Sequence, residues 1–212
     1  MTYADRRAAG AMLAGRLISF AGSSAIVLGL VRGGVPVAAS VARMLRLPLD
    51  VLVVRKLGVP WAPEVAFGAL GPGGVQVLNK LTLSHLTTTE IEAVIRDESA
   101  ELTRREKIFR AGRPPLDLTG RDALVVDDGL ATGATARAAV EVARRLGAEQ
   151  VVLAVPVGSG EAIRQLHEIA DEVVCPWVPR QFDAVSRFYD SFHQVSDDEV
   201  VALLSDRHID EP

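Results

Sequence analysis

The chain has 212 residues, of which 49% are hydrophobic and 24% charged, with a formal net charge of −4. That is enough apolar chain for one sizeable α/β core, and the slightly acidic balance argues against a general nucleic-acid binder. The single cysteine, Cys175, excludes a disulfide framework and a cysteine-rich zinc site and reads as a core residue. Residues 1–7 lack the apolar core of a signal peptide and no run approaches a membrane span, so the sequence reads as cytoplasmic with no membrane contact.

Taken in chain order, Asp5 can cap a helix that runs to about Phe20, with Ala9, Met12, Leu13, Leu17 and Phe20 on its buried side. Residues 25–30 form an apolar strand, followed by the turn Val31-Arg32-Gly33-Gly34 and a helix over 35–45. Arg32 and the backbone N–H groups of that turn can hold an anion, or the turn can simply need its glycines. The next strand, 50–54, ends in the cation pair Arg55-Lys56. Ligands of open α/β sheets bind outside the carboxyl ends of strands, where this pair is expected to lie. Residues 65–70 and 75–78 fit two strands of a hairpin across Gly71-Pro72-Gly73-Gly74. Thr87 and Glu90 have capping-box spacing and open a long polar helix to about Arg110, whose interleaved charges read as a solvated face. Arg113-Pro114-Pro115 ends it.

Residues 123–146 carry the densest chemistry. Leu124, Val125 and Val126 form an apolar run without alternation, which suits a strand covered on both faces. Asp127 and Asp128 follow, then Gly129-Leu130-Ala131-Thr132-Gly133-Ala134-Thr135. A helix begins at about Ala134, with Ala139, Val142, Ala143 and Leu146 on one face, and Gly147 stops it. A glycine turn feeding a helix N-terminus gathers backbone N–H groups and about half a positive charge, and Thr132 and Thr135 add hydroxyls. This describes a phosphate site. Two acids cannot hold the phosphate; they suit ribose hydroxyls or a hard cation. A P-loop would need Gly-Lys-Ser/Thr and a dinucleotide fold Gly-x-Gly-x-x-Gly, and neither occurs here. An ordinary strand-to-helix connection with a chance acidic pair is the plainer alternative.

Downstream come a strand at 151–155, a helix at 160–169, a strand at 172–178 and a final helix at 197–205. Between the last two, Trp177, Phe182, Phe188, Tyr189 and Phe192 gather aromatics that are scarce elsewhere. They form either a small hydrophobic cluster or a set of rings displayed to a flat ligand. His85, His167, His193 and His208 lack metal-ligand spacing with one another and are assigned no chemistry.

The run from Val125 to Thr135 resembles the motif of type I phosphoribosyltransferases: apolar residues, two acids, a short spacer, then Thr-Gly-x-Thr. The segment from Arg55 to Glu64 is similar to a group of small bacterial phosphoribosyltransferases of undefined substrate. The resemblance implies a single α/β domain over 1–212: a mostly parallel sheet flanked by helices, with a core at 25–178, a mobile loop or hairpin at 58–80, and a hood at 176–193. It implies transfer of the phosphoribosyl group of phosphoribosyl pyrophosphate (PRPP) to a nucleobase or similar nitrogen acceptor, with release of pyrophosphate and dependence on Mg²⁺. Asp127 and Asp128 would hold the ribose diol, directly or through the metal. Arg32 and Lys56 would stabilise the leaving group, with Gly33, Gly34 and Arg55 beside them, and Gly129, Leu130, Ala131, Thr132, Gly133, Ala134 and Thr135 would cradle the ribose phosphate. Phe182, Phe188 and Tyr189 would face the acceptor, and Asp128 or Asp183 are candidate bases. The family pattern leaves room for a homodimer. It also leaves two alternatives: a regulator that senses PRPP or nucleotides without turnover, and a sugar-phosphate hydrolase.

Overall fold

Four strands of this chain are buried along their whole length, as strands covered on both faces of a parallel sheet must be. The computed structural model describes residues 2–205. Asp5 caps α1 (Arg6–Arg16), its carboxylate accepting from the Ala8 amide at 2.7 Å. Leu17 then closes the helix, and a separate 3₁₀ turn covers Ile18–Phe20. Ala9, Leu13 and Leu17 are fully buried as the periodicity required, while Met12 and Phe20 are only partly covered.

The chain continues through β1 (Ile26–Leu30), α2 (Gly34–Leu45) and β2 (Leu49–Leu52). It then leaves the parallel sheet. β3 (Arg55–Val59), β4 (Ala62–Gly71) and β5 (Val75–Leu78) make a separate antiparallel sheet. A short helix, α3 (Lys80–Leu83), and the long α4 (Thr88–Phe109) follow, the latter opened by the expected capping box of Thr87 and Glu90. β6 (Ala123–Val126), α5 (Ala134–Arg145), β7 (Val151–Ala154), α6 (Gly160–Leu166), β8 (Glu172–Val174) and α7 (Asp197–Leu204) complete the order.

The main sheet is wholly parallel with strand order β2-β1-β6-β7-β8. Successive strand residues point to opposite faces. Leu124, Val126, Val152 and Ala154 join one core with α1 and α2; Ala123, Val125, Val151 and Leu153 join the other with α5 and α6. The chain winds outward from β1 in one direction and from β6 in the other. The loops after these two adjacent strands therefore part to opposite faces and leave a crevice at their carboxyl ends, the topological switch point at which open α/β sheets bind ligands.

Two features hold α4 and the tail to this sheet. The Asp50 carboxylate accepts from Arg110 Nε at 3.0 Å and Nη2 at 2.9 Å, with both side chains under a tenth exposed. Arg113 donates to the Leu49 carbonyl at 2.8 Å and to the Leu204 carbonyl at the end of α7.

Candidate functional site

β6 ends at Val126, so Asp127 and Asp128 lie past the strand and are released from its alternation. Both face one pocket of about 450 Å³, together with Arg6, Arg32, Gly33 and residues 192–195. Asp127 Oδ1 accepts from the Asp128 amide at 2.9 Å. Asp128 Oδ2 accepts from Arg6 Nε at 2.8 Å, with the side chains 7% and 14% exposed. Burial, and for Asp127 the neighbouring Asp128 charge, push both carboxyls above the usual carboxylate range; Arg6 opposes the shift. In this environment the pair favours a proton, a cation or a hydroxyl network over standing as two bare charges.

The turn after β1 packs directly on this pair. The Val31–Arg32 peptide is cis. Gly33 has ordinary helical backbone angles, so its lack of a side chain is about space: a Cβ there would lie 2.2 Å from Asp128 Oδ2. Gly34 opens α2, and Arg32, about one-third exposed, reaches Asp197 at 3.5 Å.

Helix ends separate the two turns from the rest of the molecule. The first-turn amides of α1, α3, α4, α6 and α7 are met by the side chains of Asp5, Asn79, Thr87, Ser159 and Ser196. α2 and α5 begin at Gly33 and Gly133 with no side-chain cap. These two helices follow the two turns at the crevice and aim positive dipole ends there; the first-turn amides of α5 have no side-chain partner, whereas in α2 the Val35 amide donates to the Arg32 carbonyl at 3.1 Å and Pro36 carries no N–H. Gly133 takes a left-handed φ of 79°, which directs the chain from the loop into α5. Ala131, Thr132, Ala134 and Thr135 are exposed around it. Thr132 and Ala131 line a small pocket of about 180 Å³ with Ser159, whose hydroxyl donates to the Ala131 carbonyl at 2.6 Å. Gly129 runs from the acid pair into Leu130. Leu130 is 2% exposed, its amide donates to the Val157 carbonyl at 2.9 Å and its carbonyl accepts from the Ser159 amide at 2.8 Å. It anchors the loop and has no donor left for a phosphate.

The Arg55-Lys56 pair departs from the expectation. It does not end the third strand of the main sheet: β2 stops at Leu52, and Arg55 and Lys56 open β3, paired with Leu70 and Ala69 of β4. Both line a pocket of about 530 Å³ with Val31 and Thr135, one wall of which is Val94, Asp97, Glu98 and Arg105 of α4. Arg55 is held by Glu98 at 2.6 Å. The charged face of α4, whose plainer reading is a solvated surface, therefore contributes to a pocket edge. The hairpin expected over 65–70 and 75–78 is present, longer on its first side and joined by β3.

The aromatic segment also departs from the display reading. Phe188 and Tyr189 are 8% and 6% exposed. Their neighbours are one another's rings: Trp177 meets Phe188 edge-on at 4.8 Å, Phe182 stacks on Phe188 at 5.3 Å, and Tyr3 lies 5.5 Å from Tyr189. These two rings build a satellite core and are not presented to a ligand. Tyr189 acts through its hydroxyl, which donates to the Asp128 carbonyl at 2.5 Å. Asp183 is exposed in the same segment. Arg6 escaped notice in the sequence because nothing local marks it; its partner is 122 positions away. His208 lies outside the described residues.

With this geometry in view, the comparisons with known proteins are decisive for the family. Residues 4–188 match the model of the phosphoribosyl transferase domain. The chain belongs to the phosphoribosyl transferase family. Two curated relatives from Mycobacterium tuberculosis strains, each provisionally named a phosphoribosyl transferase, are 54% identical over 210 residues, or 98% of this chain and 47% of the relative. The chain thus spans about half the length of the curated relatives it matches. The crystal structure of TT1426 from Thermus thermophilus superposes with a TM-score of 0.90 at 44% identity, covering 96% of this chain and 98% of that one. A purine phosphoribosyltransferase from Pyrococcus horikoshii shares the fold at a TM-score of 0.50 and 17% identity, over 92% and 95% of the two chains. The architecture is that of the type I phosphoribosyltransferases. Among the described residues no helix is long and apolar enough to cross a membrane.

Proposed function

We propose that the protein transfers the phosphoribosyl group of PRPP to a nitrogen acceptor of the nucleobase type, releasing pyrophosphate. The observation that carries this reading is the pair of uncapped helix N-termini flanking a buried carboxylate pair at the switch point. Two anion sites on either side of a diol-binding pair match the three parts of PRPP: ribose phosphate, ribose, and diphosphate.

In this assignment the amides and hydroxyls of 131–135 take the ribose phosphate, without Leu130, whose backbone is committed. Asp127 and Asp128 take the two ribose hydroxyls. Gly33, Gly34 and Arg32 take the diphosphate, with Lys56 and Arg55 at the far side of Val31. Arg32 must exchange its surface contact with Asp197 for the ligand, a small cost for an exposed pair. In the reaction the C1–oxygen bond to diphosphate breaks, the C1–nitrogen bond forms, and the acceptor gives up its N–H proton to the departing diphosphate or to water. The transition state has the oxocarbenium character of glycosyl transfer, so the protein's part is positioning and electrostatics.

Mg²⁺ fits the donor set. It keeps several waters and is usually bound through one or two carboxylates together with substrate phosphates. Asp127 and Asp128 supply two carboxylates, and no cluster of three or more acids, histidines or cysteines able to hold a metal exists among the described residues. When bound, the ion supplies positive charge to the departing diphosphate. The hairpin within 58–80 is the segment that closes on the ligand in this reading, and the region 176–193 acts as a hood through its backbone and the Tyr189 hydroxyl. A single domain over 1–212 with a core at 25–178 accommodates all of these parts.

The burial of Phe188 and Tyr189 supports a second reading, a PRPP sensor, since those rings offer no platform to a base. Incubating the protein with PRPP and Mg²⁺ and a panel of nucleobases, and measuring pyrophosphate, separates the two. Release with one acceptor is the expected result. Tight PRPP binding without release with any acceptor would favour the sensor, and release without acceptor a hydrolase.

A further inference from the structure

We propose that Arg6 is a positioning residue that commits one oxygen of Asp128 to the protein and presents the other to the ribose diol. The proposal rests on the phosphoribosyltransferase reading of the acid pair and adds a residue to it. Arg6 sits in the first turn of α1, with 7% of its side chain exposed. An arginine so covered has to satisfy its donors inside the protein. Nε donates to Asp128 Oδ2 at 2.8 Å, and Nη1 donates to the His193 carbonyl at 2.8 Å. The guanidinium plane rests on the Phe192 ring, 3.8 Å from its centroid, as a weakly hydrated planar cation does well. One side chain thus ties α1, the acid loop and the segment leading to α7.

The other side of Asp128 Oδ2 is closed by Gly33, whose absent Cβ would stand 2.2 Å away. Oδ2 is therefore enclosed between the guanidinium and the turn after β1. Oδ1 takes no hydrogen bond from another residue among the described residues and belongs to a residue lining the pocket. The backbone is fixed as well, since the Asp128 carbonyl accepts from the Tyr189 hydroxyl. Asp127 follows the same pattern: Oδ1 accepts from the Asp128 amide, leaving Oδ2. The pair offers one oxygen per residue, which matches two vicinal hydroxyls. A lysine in place of Arg6 retains charge but lacks the planar fork that serves two acceptors at once.

The test compares a ligand that engages the diol with one that does not, in metal-free buffer containing EDTA. Ribose 5-phosphate and inorganic phosphate are titrated by calorimetry into wild type and Arg6→Gln. Wild type should bind the sugar phosphate more tightly than phosphate. In Arg6→Gln the sugar phosphate should weaken by about tenfold or more, the scale of a hydrogen bond to a charged group, while inorganic phosphate changes by less than about twofold. In an Asp128→Asn background, Arg6→Gln should add less than about threefold, because the two act through one contact. Equal weakening of both ligands, or no weakening of either in a folded variant, would overturn the proposal. If Arg6→Gln does not fold, Arg6→Lys carries the same comparison, with a smaller loss confined to the sugar phosphate. Wild type binding the two ligands equally well would instead overturn the diol role of the acid pair, and this proposal with it.

Discussion

Gly33→Ala is the smallest perturbation that reaches the site, because Gly33 has φ −60° and ψ −33° and alanine adopts those angles freely. Any effect therefore comes from the added methyl group. It would sit 2.2 Å from Asp128 Oδ2 and 2.9 Å from Cγ, so the carboxylate has to retreat by about 1 Å to reach ordinary contact. With Oδ2 held between the turn and the guanidinium, a shift of that size cannot be made without destroying the geometry of the 2.8 Å bond to Arg6. Losing a charge-assisted bond at this depth costs about 1.5–3 kcal/mol. For a domain of this size that lowers Tm by roughly 5–10 °C. Gly15→Ala is the control: a Cβ there meets nothing within 4 Å and the position lies inside α1, so it should stabilise by about 0.5–1 kcal/mol. Thermal unfolding of both variants, with PRPP and Mg²⁺ titrated into each, reads the result. An unchanged Tm and unchanged affinity in Gly33→Ala would show that the acid pair does not depend on this contact, and the reasoning about the turn would fall.

Three further outcomes follow from the same geometry. Gly133→Val should abolish binding of ribose 5-phosphate while the fold survives with a loss of about 1–2 kcal/mol, because valine is strained at a φ of 79° and would crowd Leu166; unchanged affinity in a folded variant would refute the phosphate cradle. Asp127→Asn should keep or raise the Tm of the ligand-free protein at pH 8 and flatten its pH dependence. The sign follows from the raised carboxyl: its charge destabilises the fold at pH values above the folded pKa, and that penalty is relieved as pH falls through it towards the ordinary carboxylate range. A lower Tm with an unchanged pH slope would mean that the charged form is a structural anchor. Asp50→Ala strands Arg110 in a site where both partners are under a tenth exposed, and should cost about 3–5 kcal/mol in urea unfolding, with Asp50→Leu plus Arg110→Met recovering part of it; a loss below about 1 kcal/mol would contradict this account.

The unit from β6 to α5 was legible because all its signals are local. An unbroken apolar run reports a two-sided strand, adjacent acids report its end, and glycine with threonine reports the turn. The same held for the capping box at Thr87 and for the parallel sheet, four of whose five strands carry four or five buried residues in succession. The failures share a cause in non-local choice. Arg55 and Lys56 look like the end of a parallel strand, yet the chain turns away and pairs them with Leu70 and Ala69. Sequence shows aromatics gathered near 177–192 but not whether rings meet a ligand or each other, and in Phe188 they meet each other. Arg6 looks like any cation at a helix start until the fold brings Asp128 to it.

The segment at Tyr3 and Ala4 runs beside 188–191, with amide–carbonyl bonds from Tyr3 to Phe188, from Asp190 to Tyr3 and from Ser191 to Ala4. This sets an order of events during synthesis. A nascent chain can pair β1, β2, β6 and β7 as they emerge, since those contacts need nothing downstream. Residue 3 must wait until residues beyond 188 have left the ribosome, and closing so long a loop is entropically slow. Until then α1 is not tethered by this pairing and Asp128 lacks its hold from Tyr189. The pocket is thus among the last parts to mature, and a chain released before residue 188 would carry a formed sheet with an unfinished mouth.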